Sequence, residues 1–168
     1  MISWYVVHTK PRAEAKALLH LRNQGFHCFL PRIVKLRHHA RQITRTFVPL
    51  FPRYFFVRFD LDVTLWRAVN GTRGVVNLLT DGTRPLRVPV GVIETLVAKC
   101  DSQGIASLTA MGIFCAGRNV KIQTGAFAGQ TGSITKILLE GSERVGVLLT
   151  LLGVGTELKI PSYAIEVA

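Results

Sequence analysis

The side chains of this chain that could do chemistry are mostly cationic or aromatic. His38 and His39 are the only adjacent histidines, and they stand in a basic segment without a neighbouring carboxylate or cysteine. Adjacent residues do not share a face of a helix or strand, so joint metal ligation is not expected. The ten Asp and Glu residues are too scattered to indicate a catalytic carboxylate pair. We therefore expect no enzymatic activity, no cofactor and no metal ion.

Glycines and cysteines argue against two further classes of site. The run from Gly125 to Gly132 is not a phosphate-binding loop, because no Gly-Lys-Ser/Thr follows it, and it is more typical of a β-turn. Cys28, Cys100 and Cys115 are odd in number and widely spaced, which indicates neither a disulfide framework nor a CxxC metal pair. We expect buried, reduced thiols in a cytoplasmic protein.

The charge balance points to a polyanion. The 168 residues carry a net charge of +11, which favours a nucleic-acid partner. Residues 1–100 hold 16 Lys/Arg against 5 Asp/Glu and residues 101–168 hold 5 of each, so we expect the N-terminal part to bind it. There, Arg12, Lys16 and His20 are spaced i, i+4, i+8 and would share one helix face. The alternative is an ordinary solvated face.

The most informative stretch is the predicted aromatic strand over 47–59. Alternate side chains of a strand lie on opposite faces, so Phe55, Val57 and Phe59 would share an apolar face. The opposite face would hold Tyr54, Phe56 and Arg58. Large aromatics beside arginine are typical of a protein–protein anchor, but a covering helix would make the same face part of the core. From this segment alone the two interpretations stand equal.

Elements around this strand predict an α+β first domain over 1–100. A strand from Trp4 to His8 is followed by a helix from about Lys10 to Asn23, with Thr9 or Lys10 as N-cap. A short strand then leads to the acid-free basic segment 32–46, predicted as an extended hairpin or a mobile loop.

After the aromatic strand we expect a short helix, a strand and a second longer helix. Asp60 or Asp62 would cap the short helix, which ends at Val69, and the second helix covers 90–100. Together these elements form an antiparallel sheet packed against helices, an α/β sandwich. The sequence contains no run of eighteen apolar residues, so no membrane-spanning helix is expected.

The remaining residues predict a linker and a small barrel. Residues 101–115 lack periodicity and are interpreted as the linker, and residues 116–168 as the second domain. Turn signals at 125–132, 140–143 and 153–155 separate short β-rich runs, a spacing typical of a small antiparallel barrel. The predicted strands cover 119–123, 133–138, 145–152, 157–160 and 164–167.

These motifs, in this order, resemble the NusG family of transcription elongation factors over nearly the whole chain. Trp4–Thr9 resembles the family's first strand, Phe51-Pro52-x-Tyr54-x-Phe56-Val57 its central motif and Thr72–Val75 its turn. Gly117–Ile122 followed by Gly125–Gly132 resembles a KOW motif, in which Gly125, Phe127, Gly129 and Gly132 are the matching residues. The resemblance implies a NusG N-terminal domain followed by a KOW domain with an SH3-like β-barrel. The first domain is more similar to the specialised RfaH branch.

The resemblance also implies a function. Such proteins bind the β′ clamp helices of RNA polymerase, bridge to the β subunit and suppress pausing. The residues that match the clamp-binding surface are Phe51, Pro52, Tyr54, Phe56, Ile93 and Leu96. Those that match the contact with the non-template DNA strand are Lys10, His20, Asn70, Thr72 and Arg73, and the helix face derived above adds Arg12 and Lys16.

Two departures and one alternative remain. Leu65, Trp66 and Arg67 stand where RfaH-like proteins carry the His-Thr-Thr run that contacts the β gate loop, and Trp66 is either a larger contact or part of the core. An RfaH tail can pack as a helical hairpin and then refold to a barrel, whereas Gly146 and Gly153 favour the barrel as the resting state here. The resemblance implies a ribosomal protein or the factor Rho as partner of the KOW domain. We expect a monomer; a ribosome-associated or general RNA-binding protein is the alternative.

Overall fold

The described residues fold into two units. A computed structural model describes residues 1–39, 42–108, 110–138, 144–151 and 154–168. Contacts between Cα atoms group Met1–Ile33 with Phe47–Ala106 as unit 1, and Val34–Thr46 with Ser107–Ala168 as unit 2. The predicted turn at 140–143, the glycine at 153 and the arginine at 41 lie outside the described residues. The fold is α+β, as predicted, and its sheets are antiparallel.

The elements follow in chain order. The strands are β1 (Ile2–Thr9), β2 (His27–Phe29), β3 (Arg32–His39), β4 (Gln42–Pro49), β5 (Tyr54–Asp60), β6 (Val75–Leu78), β7 (Asn119–Ile122), β8 (Thr131–Leu138), β9 (Arg144–Leu151), β10 (Val154–Pro161) and β11 (Ile165–Val167). The helices are α1 (Glu14–Asn23), α2 (Arg67–Asn70) and α3 (Val92–Ala98). Among the described residues, no helix has the length and apolar character needed to cross a bilayer.

Unit 1 is built on a four-stranded sheet with strand order β2-β5-β1-β6. Its core lies between one sheet face and α1, which contributes Ala17 and Leu21. Phe55, Val57 and Phe59 of β5 are buried there, as the period-two alternation predicted. The central pair β1–β5 therefore has one apolar face fixed against the helix.

Helix α1 begins later than the sequence predicts. Arg12 adopts a left-handed backbone conformation with φ 58°, which cannot continue a helix, and α1 starts only at Glu14 after Ala13. Thr9, a predicted N-cap, is instead fully buried at the end of β1. The prediction that Arg12 shares a helix face is wrong, so Lys16 and His20 alone keep the i, i+4 relation.

The two other helices are shorter than predicted. Neither Asp60 nor Asp62 caps α2, whose N-cap position is occupied by Trp66. The Asp60 carboxylate accepts hydrogen bonds from the Met1 ammonium at 2.8 Å and the Asp62 amide at 3.1 Å, and these bonds lower its pKa. Helix α3 begins after Gly91, whose amide donates to Glu94 Oε2 at 3.0 Å.

Of the two alternatives for the basic segment, the structure shows the hairpin. Strands β3 and β4 form a two-stranded sheet of their own. Thr44 Oγ1 donates to the Arg37 carbonyl at 3.5 Å and Thr46 Oγ1 to the Lys35 carbonyl at 3.3 Å. These bonds place Lys35 opposite Thr46 and Arg37 opposite Thr44.

The larger sheet of unit 2 has five antiparallel strands in the order β10-β9-β8-β7-β11, and each corresponds to a predicted strand. Buried side chains from all five strands share one core, which requires the sheet to curl around it: Val120, Ile122, Ile134, Val145, Val147, Leu149, Ile160 and Ile165. Phe114, from the predicted linker, is also buried in this core. The linker is therefore ordered at its second end.

Gly132 of β8 is a close-approach position. An added Cβ would lie 2.6 Å from the Leu148 carbonyl oxygen and 2.7 Å from Val147 Cγ1 of β9. Because the main chain of β9 would have to move, we expect Gly132→Ala to destabilise unit 2 by about 1–3 kcal/mol. Gly155→Ala is the matched control, since its nearest neighbour would be a side-chain carbon, Leu148 Cδ1, at 3.4 Å. Amide hydrogen exchange of β7–β9 in the full chain measures both, and equal exchange in the two variants would contradict the expectation.

Candidate functional site

The predicted aromatic face is half exposed and half buried. By the aromatic face we mean the six residues that match the clamp-binding surface: Phe51, Pro52, Tyr54, Phe56, Ile93 and Leu96. Phe51 and Tyr54 are 39% and 36% exposed, and Pro52 is exposed as well. Phe56 and Leu96 are buried, and Ile93 is only 1% exposed. In the chain as it stands, a partner would meet the first three residues and not the last three.

Phe56 departs from the alternation predicted for β5. Its neighbours Phe55 and Val57 point to the core, yet Phe56 on the opposite face is also only 9% exposed. Phe29 lies opposite it in the β2–β5 register, and the two rings stack at 6.3 Å between centroids. Phe51 packs edge-on against the same ring at 6.0 Å. The buried Phe56 ring thus supports the exposed Phe51 ring from within unit 1.

Tyr54 is held by a residue that the sequence analysis did not select. His8 of β1 lies opposite Tyr54 in the β1–β5 register, and the rings stack at 4.9 Å with an angle of 18°. His8 Nδ1 also lies 3.4 Å from Asn77 Oδ1 on β6. His8 could have been selected from the sequence only if the register between β1 and β5 had been predicted. The stack orients the Tyr54 ring before any partner arrives.

The turn that carries the aromatic face is anchored by Glu14. Arg53 has a left-handed backbone with φ 70°, and its amide donates to the buried Glu14 Oε1 at 2.8 Å. Its guanidinium Nε donates to the Thr9 carbonyl at 3.2 Å, and the Thr9 amide donates to the Arg53 carbonyl at 2.8 Å. Arg53 and Glu14 therefore position the turn without themselves belonging to the aromatic face.

The same segment of β1 leads into the predicted nucleic-acid contacts. The Lys10 amide donates to the Gly74 carbonyl at 2.9 Å. Gly74 has φ 94°, and an added Cβ there would lie 3.3 Å from Ala17 Cβ of α1. Only glycine fits this approach without strain. The loop that holds Arg73 is thereby fixed against both α1 and the residue after β1.

The predicted nucleic-acid residues include four exposed cations and two side chains, Asn70 and Thr72, that form hydrogen bonds within unit 1. We call the seven residues Lys10, Arg12, Lys16, His20, Asn70, Thr72 and Arg73 the basic surface. Its cations Lys10, Arg12, Lys16 and Arg73 are exposed, and His20 is half-buried. All four cations can therefore attract an anion, even though Arg12 lies outside α1.

Thr72 and Asn70 are occupied by the fold. Thr72 is buried; its Oγ1 donates to the Ala68 carbonyl at 3.0 Å and accepts from Gln24 Nε2 at 3.0 Å. Asn70 Oδ1 accepts from the Leu78 amide at 2.8 Å, which ties α2 to β6. These side chains hold the loop that presents Arg73. Gln24 was missed by the sequence analysis because its role depends on a residue far along the chain.

The three residues at the predicted gate-loop position have different environments. Leu65 is 86% exposed, whereas the Trp66 indole is half-buried and packs against the unit 1 core. Arg67 is exposed and its guanidinium carbon lies 4.7 Å from the Trp66 ring centroid. The indole thus contacts the unit 1 core and supports the Arg67 guanidinium.

The predicted KOW residues lie between and within β7 and β8. Gly125 and Gly129 have φ values of 88° and 86°, and the Gly129 amide donates to the Ile122 carbonyl at 2.7 Å. Phe127 packs against the core of unit 2, while Gly132 allows the close approach of β9. Gly125 and Gly129 thus shape the turn between the two strands, while Phe127 and Gly132 serve the packing of unit 2.

The cysteines do not all match the expectation of buried thiols. Cys28 is buried, and burial raises its pKa to about 12. Cys100 is half-buried, and Cys115 is exposed, so the prediction is wrong for Cys115. Within the described ranges, no three His, Cys, Asp or Glu side chains meet as metal ligands would.

Comparison with known proteins gives one family. The family model described as transcription termination factor nusG matches residues 2–97. The transcription termination/antitermination protein NusG of Thermus thermophilus is 28% identical over 177 residues, an alignment that covers 95% of each chain.

Two solved structures match at lower identity. One reports domain interaction in Thermotoga maritima NusG, with 20% identity, 99% of this chain and 97% of the other covered, and a TM-score of 0.39. The other is a MjSpt4:Spt5 complex, with 15% identity, 99% and 96% covered, and a TM-score of 0.33. Both scores lie below 0.5, so the fold rests on the strand order and register described above.

The buried Thr72 hydroxyl offers a test of the support for the basic surface. Thr72→Val keeps the volume but removes two hydrogen bonds and leaves the Gln24 amide without its acceptor. We expect a loss of about 1–3 kcal/mol in the free energy of unfolding of unit 1. Thr72→Ser, which keeps the hydroxyl, is the control. Hydrogen exchange of α2 and β6 amides measures the difference; valine and serine variants that exchange alike would refute the role.

Proposed function

The chain belongs to the NusG family of transcription factors, and on that premise we propose that it binds transcribing RNA polymerase through the aromatic face and the non-template DNA strand through the basic surface. Members of this family act in transcription elongation and antitermination and are not enzymes. The observation that carries the proposal is the exposed turn of Phe51, Pro52 and Tyr54, held in place by buried contacts.

The aromatic face has the properties of a preorganised protein anchor. Phe51 rests edge-on upon Phe56, and Tyr54 stacks on His8, so both rings are oriented before binding. Preorganised aromatic rings lose little conformational entropy on binding and often dominate an interface. We assign this face to the β′ clamp helices. Phe56, Ile93 and Leu96 contribute as the support beneath it, and Leu65 and Arg67 are the groups available for the β subunit.

The basic surface suits a single strand whose phosphates lie along exposed cations. Lys10, Arg12, Lys16 and Arg73 supply charge, and His20 supplies a ring on which a base can stack. Thr72 and Asn70 act by holding the loop, because their side chains already bond within unit 1. We expect RfaH-like sequence preference only if base edges reach these residues.

The second domain is assigned as a KOW domain, with residues 1–100 as the polymerase-binding domain and 101–115 between them. A ribosomal protein or Rho is its proposed partner, and transcription would then be coupled to translation or to termination. The alternative of a general RNA-binding protein is not favoured, because the chain belongs to a family of transcription factors. We propose that the protein acts as a monomer in the cytoplasm, where it meets transcribing RNA polymerase.

The exposed rings allow a direct test of polymerase binding. Phe51→Ala/Tyr54→Ala removes both without opening the core, whereas a change at Phe56 would also disturb packing. In single-round transcription on a paused template with the cognate polymerase, we expect wild type to shorten pauses. The double variant should need at least tenfold more protein, since each such anchor contributes about 1–2 kcal/mol or more. Phe47→Ala, another exposed aromatic, is the control; pause shortening lost equally in both would refute the assignment.

The contact with the DNA strand is tested separately by its salt dependence. Lys10→Gln/Arg73→Gln removes two exposed cations of the basic surface. For a single-stranded oligonucleotide, we expect the slope of log K against log salt to fall in magnitude by about 1.4, since each phosphate contact contributes about 0.7. Arg84→Gln/Arg87→Gln makes the same charge change at exposed positions outside that surface. An equal change of slope in both pairs would mean that the binding is diffuse.

A further inference from the structure

Unit 2 is more basic than the C-terminal sequence alone implies. Residues 107–168 hold five Lys/Arg and four Asp/Glu, close to neutrality. Residues 34–46 hold four Lys/Arg and no acidic residue, and the structure groups them with unit 2. The formal charge of unit 2 is therefore +5, of which +4 comes from the hairpin. Most of the excess charge of this unit thus belongs to one short element.

One face of the hairpin is fixed to the rest of unit 2. Leu36 of β3 packs against the hydrophobic core of that unit. Arg45 of β4 places its guanidinium carbon 4.0 Å from the Tyr163 ring centroid and donates a hydrogen bond to the Tyr163 hydroxyl. A cation over an aromatic ring is attracted by the negative face of that ring. The hairpin is therefore a docked ribbon, and Arg45 is engaged inside the unit.

The opposite face of the ribbon points away from this contact. Since side chains alternate along a strand, Lys35 and Arg37 flank Leu36 on the other side, and Thr44 and Thr46 flank Arg45 in the same way. The threonine hydrogen bonds to β3 put Thr46 beside Lys35 and Thr44 beside Arg37. The outward face is hence defined as Lys35, Arg37, Thr44 and Thr46.

The cations of the outward face differ from those of the curled sheet. Lys35 and Arg37 are exposed, and neither forms an ion pair with any carboxylate in the part of the chain that the structure describes. By contrast, Lys136 pairs with Glu157 at 3.3 Å, and Lys121 lies opposite Glu166 in the β7–β11 register. Residues 34–46 contain no carboxylate that could offset these cations, whereas the strands of the five-stranded sheet carry charges of both signs.

We propose that the outward face of the hairpin binds the phosphate backbone of a nucleic-acid duplex, as a second nucleic-acid site carried by unit 2. Lys35 and Arg37 supply the charge. The hydroxyls of Thr44 and Thr46 donate to β3 carbonyls and so hold β4 beside the two cations. A two-stranded ribbon has the dimensions that a duplex groove admits. Contacts of this kind hold the duplex without reading its sequence.

The composition of the face favours a duplex over a single strand or a protein. Single strands are bound by cationic grooves that also offer aromatic rings for stacking. The outward face offers two cations, and its four side chains include no ring. A protein anchor would need buried apolar or aromatic side chains. The two cations of the outward face therefore fit contacts with phosphates better than base stacking or a protein anchor.

The test measures duplex binding by the full chain, with no polymerase present, so its outcome is independent of the function proposed above. The variant is Lys35→Gln/Arg37→Gln, and the probes are a short DNA duplex, an RNA duplex of the same sequence and the corresponding single strand. For the DNA duplex we expect the slope of log K against log salt to fall in magnitude by about 1.8, since each contact contributes about 0.9. Affinity at low salt should drop about tenfold or more.

The matched control is Lys121→Gln/Lys159→Gln, which makes the same charge change at exposed positions of unit 2. Each of these lysines has a carboxylate nearby, Glu166 or Glu157, so the control should keep the wild-type slope. A selective loss on one duplex identifies DNA or RNA as the partner and supports the proposal. Equal losses in variant and control, or a loss confined to the single strand, would overturn it.

Discussion

The position of the aromatic turn depends on one partly buried hydrogen bond, from the Arg53 amide to the Glu14 carboxylate at 2.8 Å. A residue such as Arg53 with φ 70° is strained by about 1–3 kcal/mol. A hydrogen bond to a charged group contributes about 1.5–3 kcal/mol and can offset that strain. Because Arg53 also bonds to Thr9 in both directions, the first residue of α1 positions the aromatic turn and the start of the basic surface together.

Local sequence patterns predict burial where it is set by one strand, and they fail where it depends on contacts between distant segments. Alternation along β5 correctly predicts Phe55, Val57 and Phe59 as core residues, because a strand face that is entirely apolar is stabilised by burial. It does not predict that Phe56 is buried, since this follows from the ring of Phe29 on a strand brought alongside by the fold. The five strands of the larger sheet in unit 2 were predictable because each is a short β-rich run in the sequence, and turn-forming residues such as Gly125 and Gly129 precede β8.

The candidate site divides in the same way. Exposed cations such as Lys10 and Arg73 are evident from the sequence, since nothing apolar surrounds them. The role of Thr72 is not evident, because its hydroxyl meets Gln24 from another element. Likewise, no local pattern places the basic hairpin in unit 2, since the contact between Arg45 and Tyr163 joins residues 118 positions apart. The role of a side chain is not predictable from local sequence when it depends on a contact with a residue far along the chain.

The docking of the hairpin has a consequence for the order of events on the ribosome. Arg45 emerges 118 residues before Tyr163, so at a synthesis rate of about 5–20 residues per second it waits roughly 6–24 s for its aromatic partner. During that interval Leu36 also lacks the core against which it packs. Unit 2 combines residues 34–46, which lie between two segments of unit 1, with residues 107–168. Its assembly therefore cannot be completed until residues 107–168 have emerged.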